Sequence, residues 1–424
     1  MTAPDRLGAA AGLIASAEAK GIHSGQNRRT AMVYRVLSLD GGGVWAVIQV
    51  KALIALYGEA ATGRAVLQDF DLVAGTSGGS IVLGGLVENV ALGQLLEFFA
   101  DAQNRRAIFS PTQMLLDRVL SDAIQMGPKY SAEAKLPALE KLMPTSGNVA
   151  LSSVVTGVRR QAANTDVHLL ITAFDYDRSS ARFFRSAAAT GPDWGSGAPS
   201  DATLAEAIHA STNAPVVFFD EPAAFGGGRY WDGAITGCNN PVLAAVAEAI
   251  VLGNPPDTIA ALSIGTSTPA LVGPPEDNPS SPFFQARPKQ NLLTDLRMLA
   301  SSVTDEPPDI ATFLAHVMTG GKSGVSAPAV SRIVRMNPLR SPVSDGAGGW
   351  KAPGAMTPAQ FKYFCNVAMD ALDPNQFSYI TTYADDWLDG LAPNQPIRMN
   401  SDTLEAELGY GLFAEAKAAW EAIR

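Results

Sequence analysis

The chain has 424 residues, of which 47% are hydrophobic and 17% are charged, and it carries a formal net charge of −10. This length is sufficient for one large hydrophobic core or for two of ordinary size. The negative charge argues against nucleic acid as the main partner, because a basic surface would be needed to neutralise its phosphates. It also argues against tight electrostatic binding to anionic membranes, but transient membrane contact through an apolar surface stays open.

Cysteine usage and the N-terminal sequence indicate the compartment. Cys238 and Cys365 are the only cysteines, which is too few for a disulfide framework and is typical of a reducing compartment. The sequence shows no Cys and His cluster at metal-ligand spacing, so we expect neither a metal nor another cofactor. No apolar run in it reaches the length of a membrane span. Residues 5–6 (DR) give the N-terminus no positively charged region, which favours a cytoplasmic protein over a secreted one.

The first hundred residues predict two strand–turn–helix units after a helical or loose leader at residues 1–32. Residues 33–39 (VYRVLSL) form an apolar run that predicts a buried strand, and a helix with apolar periodicity follows at residues 44–59. A second buried strand is predicted at residues 70–74, with a helix from residue 80 towards residue 100. This βαβα order predicts a mostly parallel sheet with right-handed crossovers.

The middle of the chain predicts an insertion and further strands of the sheet. Residues 101–160 form a mostly helical insertion in which we identify no catalytic motif. Strands predicted at residues 167–175 and 181–185 pair across a turn. A helix with Asn240 as its N-cap then precedes an apolar strand at residues 258–264 (TIAALSI).

Residues 269–424 begin with a loop rich in Pro and Gly and continue as a mainly helical region around one strand at residues 333–336. Asp402 and Glu405 have the spacing of a capping box, which predicts that the last helix begins near residue 402. We expect this region to pack on the same domain as residues 33–268, which contain the motifs that follow.

The most informative stretch is residues 70–81 (FDLVAGTSGGSI), in which Ser77 lies between a predicted strand and a predicted helix. The pattern G-x-S-x-G in this context is typical of a nucleophilic serine at a sharp turn. The helix that begins behind Ser77 directs free N–H groups and the positive end of its dipole at the same place. Turns of this kind also bind phosphate groups or no ligand at all, so the pattern alone leaves a nucleophile, an anion site and a purely structural turn as alternatives.

A second motif, residues 40–43 (DGGG), also lies between a predicted strand and a predicted helix. Consecutive glycines allow backbone amides to approach a ligand closely, which is the chemistry of an anion or oxyanion hole. The alternative is a dinucleotide site, since residues 41–46 (GGGVWA) fit G-x-G-x-x-A and Glu59 lies downstream as a ribose ligand. The dinucleotide hypothesis leaves Ser77 without a role.

A serine nucleophile needs a base. Of the four histidines, only His316 follows both Ser77 and Asp232, as the Ser–Asp–His order of α/β-hydrolases requires, but it lies in an apolar helix pattern. Asp232 is the better candidate because it ends a short predicted strand, where its carboxylate can face a neighbouring loop. A carboxylate with the usual pKa of about 3.9 is a weak base, and burial would raise that pKa. An Asp that only caps an Asp-Gly turn would have the same local sequence.

These motifs together carry a resemblance to a known family. Residues 40–43 (DGGG), 75–79 (GTSGG) and 232–234 (DGA) occur in the order and setting of the motifs of the patatin-like phospholipases. The chain resembles that family over about residues 33–266. The resemblance implies an α/β fold of three layers, in which helices cover both faces of a mostly parallel central sheet.

The resemblance also implies roles for individual residues. Ser77 and Asp232 would form a catalytic dyad without histidine, and no metal would take part. Gly41 would shape the glycine loop of the oxyanion hole, whose amide donors would belong to three further glycines: Gly42, Gly43 and Gly78.

One departure concerns lipid binding. Trp45 and Ala46 stand where the family has Arg and then Gly after its glycines, so a guanidinium that could hold a lipid phosphate is absent at this point. Trp45 is expected to pack against the sheet or to widen the apolar wall for an acyl chain.

The function that the resemblance implies is hydrolysis of acyl esters of phospholipids or other lipids through an acyl-enzyme. Two alternatives stay open: acyl transfer to an acceptor other than water, and a non-catalytic protein that binds lipid or nucleotide. The expected partner is a lipid or another acyl ester, and the sequence points to no particular protein partner.

Overall fold

A computed structural model of the protein describes residues 32–109, 130–161, 165–186, 201–215, 218–269, 307–322, 331–347, 349–400 and 403–424. The α-helices in these ranges are α1 (Val47–Tyr57), α2 (Gly63–Leu67), α3 (Gly78–Glu88), α4 (Leu92–Ala100), α5 (Ala102–Ile108), α6 (Lys135–Leu142), α7 (Leu204–Ser211), α8 (Val242–Val251), α9 (Pro307–Met318), α10 (Pro358–Phe364), α11 (Pro374–Leu388) and α12 (Phe413–Ile423). The strands are β1 (Tyr34–Leu39), β2 (Leu72–Gly75), β3 (His168–Asp175), β4 (Ser180–Arg185), β5 (Ala223–Phe225), β6 (Gly228–Asp232), β7 (Ile259–Ile264), β8 (Thr268–Pro269), β9 (Ile333–Met336), β10 (Leu339–Arg340), β11 (Val343–Ser344), β12 (Trp350–Lys351), β13 (Arg398–Met399) and β14 (Ala406–Leu408).

Within these described ranges, eight strands form a central sheet in the order β5-β6-β3-β2-β1-β7-β9, with β4 also paired to β3. Strands β3, β2, β1, β7 and β9 are parallel to one another, whereas β4 and β6 run antiparallel to β3. The apolar runs that predict these strands are buried, as expected where helices cover both faces of a parallel sheet. The prediction of a mostly parallel α/β sheet is confirmed.

Three layers arise from the alternation of side chains along the strands. On one face, Leu37 and Val73 join a large core that includes residues of α1 and α3. On the other face, Val36 and Leu72 pack with residues of α8 and α9. Successive residues of a strand point to opposite faces, so each apolar strand supplies both cores. The predicted three-layer architecture is therefore confirmed.

The C-terminal region contributes to the same architecture. Residues 33–424 form one compact unit, and β9 adds a parallel strand to the edge of the sheet beside β7. The prediction that the last helix begins near residue 402 was wrong: α12 begins at Phe413, and β14 occupies Ala406–Leu408. Gly409, with a φ of 94°, separates that strand from the helix. The helix start is instead marked by Glu415, whose carboxylate accepts a hydrogen bond from the Leu412 amide.

The helices of the described ranges differ from membrane-spanning helices. None of them combines the length and the hydropathy that crossing a bilayer requires.

Candidate active site

Ser77 lies at the sharp turn between β2 and α3, where the sequence predicts it. Its φ of 48° is rare outside glycine and is typical of a serine held in a strained strand-to-helix turn. The turn is so tight that a Cβ atom on Gly79 would lie 2.3 Å from the Leu39 carbonyl oxygen. The Ser77 amide donates to the Ser211 hydroxyl at 2.9 Å, and the Ser80 hydroxyl donates to the Ser77 carbonyl at 2.6 Å. These contacts fix the backbone of Ser77.

Asp232 is the last residue of β6, where it pairs with Ala173 of β3. Because β3 also pairs with β2, the end of β6 lies beside the turn that carries Ser77. The Asp232 amide donates to the Asn213 carbonyl at 3.0 Å, and its carboxylate accepts a hydrogen bond from the Ala234 amide at 2.8 Å. The Ser77 side chain also faces this carboxylate and favours its ionised form. The sheet thus brings together two residues that are far apart in the chain.

Burial governs the protonation of this pair. Asp232 is 3% exposed, and desolvation of its carboxylate raises its pKa to about 6. The Ser77 side chain, the hydrogen bond from the Ala234 amide and the positive charge of Lys135 oppose this rise. Asp232 is therefore ionised at neutral pH, and it is a much stronger base than an exposed aspartate.

The glycine loop faces the same point. Gly43 and Gly78 line a cavity together with Ser77, and a Cβ atom on Gly78 would lie 2.4 Å from the Gly43 carbonyl oxygen. Gly42 has a φ of 154°, and a Cβ atom there would lie 2.2 Å from the Thr266 hydroxyl. In the described part of the chain, the amides of Gly42, Gly43 and Gly78 have no hydrogen-bond acceptor. These amides are thus available to a ligand oxygen.

Gly41 differs from the other glycines, because its amide donates to the Asn239 carbonyl at 2.8 Å. It shapes the loop and does not offer its amide to a ligand. The loop is anchored through Asp40, whose carboxylate forms a buried ion pair with Arg335 of β9 at 2.6 Å. The Gln49 side chain also donates to the Asp40 carbonyl at 2.9 Å. Sequence reasoning missed Arg335, since no local pattern links it to residues 295 positions earlier.

Trp45 joins the glycine loop to the C-terminal region. Its ring lies 5.2 Å from the Phe364 ring, and the guanidinium of Arg340 lies 4.4 Å from its centre. Its indole N–H donates to the Ala368 carbonyl at 3.1 Å. Trp45 is not among the described residues that line the cavity beside Ser77. Trp45 is buried in the large core that also contains Leu37 and Leu39 of β1, and it contacts α10 and the loop after it.

The structure separates His316 and Glu59 from this site. His316 is buried, and its Nδ1 atom lies 2.8 Å from the hydroxyl of Ser331, which precedes β9. That position is at the opposite end of the parallel strands from Ser77, so a triad with His316 is not formed. Glu59 follows the C-terminal end of α1, whereas the glycine loop precedes its N-terminal end. The two parts of the dinucleotide hypothesis therefore lie at opposite ends of one helix.

The cavity beside Ser77 is small and mostly apolar. Its volume is about 10 Å³, which is room for about one water molecule. Its wall combines the glycine loop and the serine turn with one residue of α3, one of the insertion, four between α7 and β5, and one of the C-terminal region: Ile81, Phe109, Thr212, Ala214, Phe218, Phe219 and Met369. An acyl group can enter only when some of these side chains move.

Two further features concern ligands. Sequence analysis identified no chemistry in the insertion, yet its Lys135 is fully buried and donates to Asn213 Oδ1 at 2.8 Å, next to Asp232. A lysine in an amphipathic helix gives no sequence signal of such a position. Across the ranges that the structure describes, no group of three or more His, Cys, Asp or Glu side chains could hold a metal ion.

A strained serine turn, a buried carboxylate and glycine amides without an acceptor among the described residues thus lie together on the three-layer sheet. The family model described as patatin-like phospholipase matches residues 37–246, which is just under half of the 424 residues. The chain therefore carries a patatin-like phospholipase domain, and this domain contains both Ser77 and Asp232.

A curated relative is similar over a comparable stretch. The protein named "Intracellular phospholipase A2" from Caenorhabditis elegans is 27% identical over 229 residues. The alignment covers 53% of this chain and 18% of the relative. The chain thus spans less than a fifth of the length of that relative.

Two solved structures share limited overall similarity with the chain. VipD from Legionella pneumophila is 11% identical with a TM-score of 0.33, and the match covers 83% of this chain and 67% of VipD. The complex of SpcU with ExoU from Pseudomonas aeruginosa gives 16% identity and a TM-score of 0.23, with 44% and 38% coverage.

Proposed function

We propose that this protein is a lipid acyl hydrolase in which Ser77 is the nucleophile and Asp232 is the general base. The observation that carries the proposal is the placement of the buried Asp232 carboxylate against the Ser77 side chain at the turn after β2, beside the amides of the glycine loop that have no acceptor among the described residues. The patatin-like phospholipase domain at residues 37–246 supports acyl esters of lipids as the substrate class.

In the first step, the Ser77 hydroxyl oxygen attacks the acyl carbonyl carbon and its proton passes to the Asp232 carboxylate. The oxyanion accepts hydrogen bonds from the free amides of the glycine loop and of Gly78, each such donor typically being worth ~10²–10³ in rate. When the ester C–O bond breaks, Asp232 returns the proton to the leaving alcohol or lysolipid, and the acyl group stays on Ser77.

In the second step, water attacks the acyl-enzyme and Asp232 accepts a proton from it. The bond between the acyl carbon and the Ser77 oxygen then breaks, the proton returns to Ser77, and the fatty acid leaves. The raised pKa of Asp232 suits both steps, because a base works best when its pKa lies near the working pH.

The direct test is hydrolysis of p-nitrophenyl esters and of a panel of phospholipids and neutral lipids by the full chain. We expect Ser77→Ala to abolish turnover and Asp232→Asn to reduce it by at least ~100-fold, with both variants folded. Ser378→Ala and Asp389→Asn, which change exposed side chains of α11 and its C-cap, are the matched controls. Full activity in Asp232→Asn would contradict the proposal.

The same assay separates hydrolysis from acyl transfer. If an added alcohol becomes the main acyl acceptor, the protein is an acyltransferase that uses the same serine. The similarity to a protein named as an intracellular phospholipase A2 supports phospholipids as the first substrates to test and the cytoplasm as the place of action, with transient contact to a membrane surface.

A further inference from the structure

Lys135, the first residue of α6, has no exposed surface. Its ammonium donates a hydrogen bond to Asn213 Oδ1 at 2.8 Å and lies 3.8 Å from the centre of the Phe219 ring. Both contacts suit a cation, because an amide oxygen accepts a hydrogen bond from an ammonium group and an aromatic face attracts its positive charge. A fully buried lysine is rare and costly unless its charge is compensated. The compensating groups therefore indicate what the residue does.

Both contact residues belong to the surroundings of the catalytic pair. The Asn213 carbonyl accepts the hydrogen bond from the Asp232 amide, and Phe219 lines the cavity next to Ser77. Lys135 also interacts electrostatically with the Asp232 carboxylate. The insertion thus contributes a lysine that interacts with the proposed base.

We infer that Lys135 is a positioning residue for Asp232, whose ammonium favours the ionised carboxylate and so sets the pH below which the site loses activity. The inference rests on the proposed function, because activity follows the Asp232 proton only if Asp232 is the base. Lys135 acts through Asp232 and Phe219 and does not itself contact the reacting atoms.

The charges around this pair are few. Asp232 faces the Ser77 hydroxyl, the Ala234 amide and Lys135, and these three groups oppose the rise in its pKa that burial causes. Lys135 faces Asp232, Asp220 and His209. Burial lowers the pKa of the Lys135 ammonium well below its usual value, and the two neighbouring carboxylates oppose that fall and favour the charged form. Burial and the neighbouring Lys135 hold the pKa of His209 far below its usual value, so His209 is neutral and leaves the lysine as the cation beside the base.

The sign of the effect follows from these contacts. Removing the positive charge of Lys135 leaves desolvation of Asp232 less opposed, so the pKa of Asp232 rises above its present value of about 6. The base is then protonated over a wider pH range. At high pH Asp232 is ionised with or without the lysine, so activity should return there.

The test is the pH profile of kcat/KM for p-nitrophenyl ester hydrolysis by the full chain. In the pH profile, the acid limb is the pH range in which kcat/KM falls as pH decreases. We expect Lys135→Met to move this limb to higher pH by about one unit or more, with kcat/KM within a few fold of wild type above it. Lys141→Met removes an exposed charge from the same helix and should leave the profile unchanged. A uniform loss of activity at all pH values, with the limb in place, would show that Lys135 is only structural and would overturn the inference.

A second variant keeps the test decisive if Lys135→Met does not fold. Lys135→Gln removes the charge and keeps an N–H donor for Asn213 Oδ1, so it is the milder change. We expect the pH below which its kcat/KM falls to move upward as well, and an unchanged profile in the folded variant would contradict the inference. If wild type itself shows no Ser77-dependent turnover, the proposed function fails instead, and the two failures are thereby distinguished.

Discussion

The turn that carries Ser77 and the wall that closes over it are built in different ways. The turn and the neighbouring glycine loop each consist of consecutive residues after a parallel strand, and tight backbone contacts hold both of them. The wall is assembled from Phe109 in the insertion, Phe219 before β5 and Met369 between α10 and α11. The groups proposed to react are therefore encoded locally, whereas the environment that sets their pKa and access is encoded by distant segments.

The largest effect is expected when the long-range ion pair between Arg335 and Asp40, which anchors the glycine loop, is broken. Arg335→Met leaves the Asp40 carboxylate buried without its ion-pair partner, and breaking such a pair typically costs about 3–5 kcal/mol. We expect a loss of this size in the free energy of unfolding by urea denaturation, together with loss of esterase activity. Arg398→Met breaks an exposed pair with Glu407 and should cost at most about 1 kcal/mol. Equal effects of both variants would show that the buried pair does not hold the glycine loop.

The second largest effect is expected at the proposed oxyanion hole, which the locally encoded glycine loop and serine turn form. An alanine methyl at position 78 would lie 2.4 Å from the Gly43 carbonyl oxygen. Gly78→Ala must therefore push the amide of residue 78 away from the amide of Gly43. We expect kcat to fall by ~10²–10³, the usual cost of one oxyanion donor. Gly411→Ala meets its nearest neighbour at 3.8 Å and is the matched control. Unchanged kcat in Gly78→Ala would place the oxyanion elsewhere.

A third effect separates stability from activity. The pKa of Asp232 is raised to about 6 in the folded state, so between about pH 4 and 6 the folded protein holds a proton that the unfolded chain has released. The free energy of unfolding must therefore fall as pH rises through this window. Asp232→Asn removes that cost, and we expect it to stabilise the protein by about 1–3 kcal/mol at pH 8 and by little at pH 4. Thermal unfolding at the two pH values checks this, and a destabilised variant at pH 8 would contradict it.

The smallest effect concerns access to the cavity. Met369→Ala shortens one side chain of the cavity wall. We therefore expect kcat/KM for esters of longer acyl chains to rise by a few fold relative to kcat/KM for acetate esters, about 1 kcal/mol. Met356→Ala shortens a side chain in a separate cavity between α10 and α11 and should not alter chain-length selectivity. The ratio of kcat/KM for p-nitrophenyl decanoate and acetate measures the change. An unchanged ratio in Met369→Ala would show that Met369 does not limit access of the acyl chain to the cavity beside Ser77.

The contrast between locally encoded turns and a wall built from distant segments also explains how much of the structure the sequence alone predicts. The strands of the sheet, Ser77, Asp232 and the glycine loop follow from short patterns, because strand, turn and motif each occupy a few consecutive residues. Lys135 and Arg335 could not be predicted, since their partners Asn213 and Asp40 lie 78 and 295 residues away and leave no periodic signal. The start of α12 was misplaced because a capping-box spacing at residues 402–405 competed with a left-handed glycine at residue 409.

The central claim is that Asp232 activates Ser77, and labelling by a fluorophosphonate ester tests it most directly. The reagent needs an activated serine and no lipid substrate, and mass spectrometry locates its adduct. We predict a single adduct on Ser77 in wild type and a labelling rate at least ~100-fold lower in folded Asp232→Asn. An adduct on another residue, or equal labelling rates in the two proteins, would contradict the account.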